Sequence, residues 1–416
     1  MSISICLGPQ IELHSGIHSS LEIFPPPGIE YTHAPHSHRF IPYDVDPSQF
    51  SPHIHPSLIE TVRFADGTVH YAGIHTSRIP VDNGIPWVTD ADCLLATLKV
   101  GTHYAFGGHY DRETYPAEII QRRAKLMIRP FLNDFCKGIL FHTDYALRLF
   151  LAYLHDLEAI TAAEEDALRQ KLAVVRPTIP AIQPRTDHGS PVRILYTGRT
   201  TTEKGSHLIQ KIFSELHCQY GRKIHLTAVS PQEAVADRLP YVNYSPILQH
   251  WEYLELVAET DIFISPTLYE SYGMAMVEAA CLGCAVVCSS GSEVDHIGEL
   301  FQDGKSAFFV ENSLSEDEKV SQYTIALSRL IDSPELLDRF KWQNYRNTST
   351  GFLSISARDR LLVKFYQEFI NVTAKDQRFS AIENVTDIGN IRSFYLKELL
   401  QLAPVTNQNM ARSMLV

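Results

Sequence analysis

From about residue 85 onward, short apolar runs alternate with longer stretches in which apolar residues recur every three to four positions. The longer period is that of an amphipathic helix, and short, hardly alternating runs are those of strands buried on both faces. Strands are predicted at Ile85 to Thr89 and Gly138 to Phe141, with helices over Pro116 to Phe135 and from Asp144. After residue 190 the rhythm restarts, with strands at Val192 to Thr197, Ile224 to Val229, Asp261 to Ser265, Ala285 to Cys288 and Ala307 to Val310. Helices are predicted from Ser206, over Ser271 to Leu282, and near Gln322 to Leu330, Pro334 to Phe340 and Arg358 to Phe369. Such alternation marks a parallel sheet covered on both faces.

The first 80 residues resist this reading, because Pro25 to Pro27, Gly28, Pro47, Pro52 and Pro56 impose turns. Only Ile3 to Leu7 and Val69 to Ile74 read as strands there. Between the rhythmic halves, Arg176 to Pro184 and Thr186 to Pro191 have the proline and polar content of an interdomain linker. Two doubly wound units are expected, 1–180 and 181–370, followed by a tail or crossover segment, 371–416, that loses periodicity.

Composition narrows the class. A chain of 416 residues with 44% apolar and 20% charged side chains can bury two cores. The net charge of −12 argues against a nucleic-acid-binding face. The first residues lack the basic n-region of a signal peptide, and no apolar run approaches the roughly 20 residues that cross a bilayer, so a cytoplasmic protein is expected. Seven cysteines scattered along the chain fit reduced thiols, Cys281 and Cys284 included. The histidine-rich stretch around His14, His18, His33, His36, His38, His53 and His55 lacks the spacing of a helical metal site, and no metal is expected. Arg122, Arg123, Lys125 and Arg129 make the 116–135 helix basic and amphipathic, a form able to rest on an anionic membrane, although a solvated helix face is the commoner case.

The chemistry concentrates where the Asp261 strand runs into Glu270, Ser271, Tyr272, Gly273, Met274 and Ala275, and then Glu278. Ligands of open parallel sheets bind at this carboxyl edge. A helix start there offers free backbone N–H groups to a diphosphate, with Gly273 allowing close approach, and Glu278 on the helix can accept hydrogen bonds from a ribose. Upstream, the first strand of the second unit ends in Gly198 and Arg199, followed by Lys204 and Gly205. Two cations at a strand's carboxyl end suit an anionic ligand.

These motifs, with Gly283 to Glu293 and Gly304 to Val310 after them, resemble the donor site of family 4 retaining glycosyltransferases of the GT-B fold. Cys284 stands where that family commonly has proline. The resemblance implies an α/β fold of two Rossmann-like domains around a cleft, an acceptor-side domain first, with a C-terminal helix crossing back. It implies transfer of a sugar from a nucleoside-diphosphate sugar, such as a UDP-sugar, to a hydroxyl of a glycan, lipid-linked, protein or small-molecule acceptor, with no tightly bound cofactor. Glu270 would contact the sugar, Glu278 the ribose, Arg199 and Lys204 the diphosphate. His75, after an apolar stretch, would approach the donor sugar from the first domain, and Asp90 and Asp92 stand where relatives often carry a second histidine. The family's glycine pair after the first strand is not clearly matched, with Gly8 or Gly16 standing in that loop. The alternative reading is a non-catalytic GT-B scaffold that stabilises a partner enzyme.

Overall fold

The computed structural model describes residues 3–8, 16–32, 37–40, 61–64, 72–78, 80–81, 85–91, 117–185, 191–198, 202–230, 238–291 and 294–373. Arg199, Asp92, His14, His33, His36, His53, His55 and the segment beyond 373 lie outside them, as do the side chains of His38, Arg122 and Arg123.

The first half begins with β1 (Ile3–Leu7), α1 (Ile17–Ile23) and β2 (Ile29–Thr32). A separate antiparallel ribbon follows, β3 (Ser37–Phe40) with β4 (Thr61–Phe64). Then come β5 (Gly73–Ser77), β6 (Trp87–Ala91), α2 (Ala117–Leu132), β7 (Cys136–Phe141), α3 (Asp144–Asp156), α4 (Ala162–Arg169) and β8 (Leu172–Val174). Six of these strands form one parallel sheet in the order β2-β1-β5-β6-β7-β8. Every residue of β5 and β6 is buried, as a central strand covered on both faces requires. The helices start where the chain supplies caps: Thr143 Oγ1 accepts from Ala146 N at 3.1 Å, and Thr161 with Glu164 forms a capping box.

The second half repeats the plan with β9 (Val192–Thr197), α5 (Ser206–Tyr220), β10 (Ile224–Val229), β11 (Val242–Ser245), α6 (His250–Ala258) and β12 (Ile262–Ser265). It continues through α7 (Met274–Cys281), β13 (Ala285–Ser290), α8 (Ile297–Leu300), β14 (Ala307–Glu311), α9 (Glu316–Asp332) and α10 (Pro334–Ser349). Its sheet is also parallel, in the order β11-β10-β9-β12-β13-β14. The strand order reverses at β1/β5 in the first sheet and β9/β12 in the second, the places where such sheets hold ligands beyond their carboxyl ends.

The last helix, α11 (Ile355–Thr373), leaves the second sheet and covers the first. Its Leu362, Phe365, Tyr366 and Phe369 pack in one core with Ile5, Leu7, Val88 and Leu140. Two strand glycines admit it, since a Cβ on Gly73 would stand 2.1 Å from the Phe369 ring and one on Gly138 would stand 2.8 Å from Phe365. The connection expected as a linker is held down: Ile179 is buried in the core around α7, Ile182 N donates to Cys281 O, and Arg358 Nη1 donates to Thr178 O at 3.1 Å.

The basic face of α2 is partly engaged, because Arg129 pairs with Glu164 at 2.6 Å. Among the described residues no helix is long and apolar enough to cross a membrane. Cys281 and Cys284 are buried, and burial pushes their thiols up to about 11 and about 12.

Candidate active site

Two helices begin at left-handed glycines on the carboxyl edge of the second sheet. Gly205, with φ +67°, starts α5, and a Cβ there would meet the Pro266 carbonyl oxygen at 2.0 Å. Gly273, with φ +93°, starts α7, which is why the helix opens at Met274 and not at Ser271 as the sequence pattern suggests. Gly273 O accepts from Met276 N and Val277 N. The amides of Met274 and Ala275 therefore head the helix with no carbonyl of the preceding turn to bond, facing the same edge.

Lys204, brought in by the turn before α5, reaches this edge and donates to Glu270 Oε2 at 2.8 Å and to Tyr269 O at 3.3 Å. Glu270 Oε1 accepts from Ser271 N at 3.0 Å. Burial by itself would raise the Glu270 carboxyl, but the Lys204 ammonium outweighs it and holds the carboxyl below its usual value. Both remain reachable, at 30% and 19% side-chain exposure for Lys204 and Glu270. Gly198 lies at the foot of this group, where a Cβ would strike the Tyr196 ring, and Tyr196 OH donates to Lys204 O. His296, at the start of α8, is buried beside them, and desolvation lowers its imidazole to about 4, against the pull of Glu270 and Asp295.

Glu278 departs from expectation. Instead of projecting free along the helix, its buried carboxylate takes His250 Nε2 at 2.7 Å, from the first turn of α6. Neither α6 nor His250 stood out in the sequence pattern, since Gln249 is not a favoured helix cap; the cap is made by Glu252, which accepts from Gln249 N at 3.0 Å. Tyr272 also turns inward, its hydroxyl donating to Pro177 O at 2.7 Å.

Opposite, His75 corrects a second expectation. The strand runs on to Ser77, so His75 sits in mid-strand and is fully buried, not at a strand end facing the cleft. Its Nδ1 is 2.6 Å from Tyr366 OH, which in turn meets Tyr31 OH at 2.9 Å, while Nε2 lies 3.1 Å from Asp90 Oδ2. Asp90 gathers two more histidines, His18 Nε2 at 3.0 Å and His142 Nε2 at 3.7 Å. Burial works to raise this carboxyl, yet the surrounding histidines hold it well below the carboxylate range. The hub was not legible as a unit, because its members come from α1, β5, β6, the end of β7 and α11. Among the described residues no group of three or more histidine, cysteine or acidic side chains is placed to hold a metal ion. His142 links the hub to the second half, its ring 5.4 Å from that of Tyr272.

Buried side-chain atoms without a hydrogen-bond partner recur along this edge: Ser230 Oγ, His250 Nδ1, Tyr253 OH, His296 Nε2 and His142 Nδ1. Buried polar atoms are nearly always paired in folded proteins, so these unpaired groups have hydrogen-bonding capacity left for a polar partner.

Residues 191–333 match the family model of glycosyl transferases group 1. No curated protein matches the chain in sequence. Among solved structures it is similar to WaaG, a glycosyltransferase involved in lipopolysaccharide biosynthesis, with a TM-score of 0.51 and 12% identity over 88% of this chain and 99% of that one. A sucrose-phosphate synthase from Thermosynechococcus elongatus aligns with a TM-score of 0.50 and 13% identity, covering 89% of this chain and 100% of that one. The pneumococcal O-GlcNAc transferase GtfA, solved in complex with UDP and GlcNAc, aligns with a TM-score of 0.51 and 14% identity over 71% of this chain, which spans 57% of that one. The chain therefore has the two-sheet GT-B fold, and its residues 191–333 match the model of the glycosyl transferases group 1 family.

Proposed function

We propose that this chain is a retaining glycosyltransferase, moving a sugar from a nucleoside-diphosphate sugar to an acceptor hydroxyl. The observation that carries the reading is the Lys204–Glu270 pair at 2.8 Å, set on the carboxyl edge of the second sheet beside the open amides of α7. A bound diphosphate would take the amides of Met274 and Ala275 and the Lys204 ammonium, and Arg199 would add a second cation. Glu270, partly released from Lys204, would accept from sugar hydroxyls. Residues 1–180 would supply the acceptor side of the cleft and 181–370 the donor side, with the Asp90 hub setting the edge that faces Tyr272.

In the reaction the bond from the anomeric carbon to the diphosphate oxygen breaks, and a bond to the acceptor oxygen forms on the same face. The acceptor proton passes to the leaving phosphate oxygen. The protein's part is to position both partners and to stabilise charge on the leaving group, work that needs no side-chain nucleophile. Because the pneumococcal structure holds UDP and GlcNAc, UDP-sugars are the first donors to try.

The test is release of nucleoside diphosphate from a panel of UDP-, ADP- and GDP-sugars by the purified chain, with the anomeric configuration of the product read by NMR. One donor should turn over with retention, and Lys204→Ala should lower the rate by roughly a hundredfold or more, the usual effect of removing a group that stabilises developing charge. Turnover unaffected by Lys204→Ala would reject the assignment.

A further inference from the structure

The nucleoside end of the donor edge contains residues that the transfer chemistry above does not use. Glu278 is 4% exposed and His250 is 21% exposed, so the imidazole is the accessible member of the pair. Their 2.7 Å contact occupies Glu278 Oε1 and His250 Nε2, leaving the other carboxylate oxygen and the other ring nitrogen for a further partner. His250 Nδ1 has no partner among the described residues, and neither has Tyr253 OH one turn along α6, whose ring lies nearly parallel with centroids 6.4 Å apart. Burial, and then the nearby Glu278 charge, push the Tyr253 hydroxyl well up, so it stays an O–H donor. Ser230 Oγ, just past the carboxyl end of β10, is buried and unpaired as well.

The Glu278 hydrogen bond raises the His250 imidazole above its usual value, against burial, and Nε2–H donates to the carboxylate whether the ring is neutral or protonated. A carboxylate oxygen held in place in this way suits a vicinal diol, whose hydroxyls can donate to it. We propose that His250 is a positioning and specificity residue for the ribose: it fixes Glu278 through Nε2, so that the second carboxylate oxygen is held where it receives the ribose hydroxyls. This rests on the donor reading given above. It adds that discrimination of ribose from 2′-deoxyribose resides in a side-chain pair joining α6 to α7, and not in Glu278 alone.

The experiment is calorimetric titration of the full chain with UDP, ADP and GDP, then with the 2′-deoxy form of whichever binds. The unaltered chain should prefer the ribonucleotide by roughly tenfold or more, the worth of a hydrogen bond to a charged group. His250→Ala should bring that ratio to near unity while the affinity for the 2′-deoxy form stays unchanged. His250→Gln, whose amide N–H can still donate to Glu278, should recover part of the preference. If His250→Ala does not fold, His250→Asn, too short to span the 2.7 Å contact, takes its place. A preference that survives loss of the imidazole overturns the proposal and leaves the donor site standing. Failure of all three nucleotides to bind the unaltered chain removes both.

Discussion

Glu270 and Glu278 lie eight residues apart, yet they meet opposite surroundings. Lys204 keeps Glu270 ionised against burial, whereas burial raises Glu278 even with His250 beside it. The sequence pointed to both glutamates and to Lys204, because a carboxylate or cation just past a buried strand is conspicuous. It could not point to His250, His296 or His142, which acquire their meaning only from burial or from partners distant along the chain, such as Glu278, 28 residues from His250. His296 gives a direct pH prediction. Its imidazole falls to about 4 in the folded chain, below the ordinary 6.5, so between those values the unfolded chain takes up a proton that the folded chain does not. Stability attached to His296 is thus complete above pH 6.5 and is lost as the pH drops toward 4. Denaturant titrations of the parent and of His296→Gln should converge over that window, by on the order of 3 kcal/mol at about 1.4 kcal/mol per pH unit. A stability difference independent of pH would show that the imidazole is not kept neutral.

Among the elements, the strands of the second sheet were the most readable. Val192–Thr197 and Ile224–Val229 appear where the apolar runs predict them, since a strand buried on both faces has no polar alternation to disguise it. Elements missed in the second half include β11, whose Val-Asn-Tyr-Ser is mostly polar, and α6 with its unusual glutamine cap. The start of α7 shifted by three residues because the left-handed Gly273 acts as its cap. The crossing of α11 depends on Gly73, whose role was invisible without the partner that touches it. Gly73→Ala should cost about 1–3 kcal/mol of stability through overpacking against Phe369. Phe369→Ala in the same chain should recover part of that cost, giving a coupling energy measurable in a double-mutant cycle. Additive effects would mean that α11 is not seated on the strand. The helix carrying Phe369 also carries the Tyr366 hydroxyl to His75, so the first sheet's core and the Asp90 hub share one support.

Across the whole molecule, the two sheets meet through polar contacts as well as through α11. Glu299, in α8, accepts from the first amide of α3 at 2.7 Å and from Arg148 at 3.3 Å, and the Tyr272 hydroxyl reaches the connecting segment. Arg148 is 67% exposed, so its pair with Glu299 is screened, and Arg148→Ala should lower stability by less than about 1 kcal/mol. A larger loss in a melting experiment would assign that pair a role in holding the halves together. The central claim is that the carboxyl edge of the second sheet binds a nucleoside diphosphate through Lys204, the start of α7 and Glu278. The most direct measurement is the thermal stability of the purified chain and of its Lys204→Ala and Glu278→Ala variants with UDP, ADP and GDP. One nucleotide should stabilise the parent by about 2.7 kcal/mol at a hundred times its dissociation constant, and the shift should disappear in both variants. No shift with any nucleotide, or an equal shift in the parent and both variants, would contradict the account.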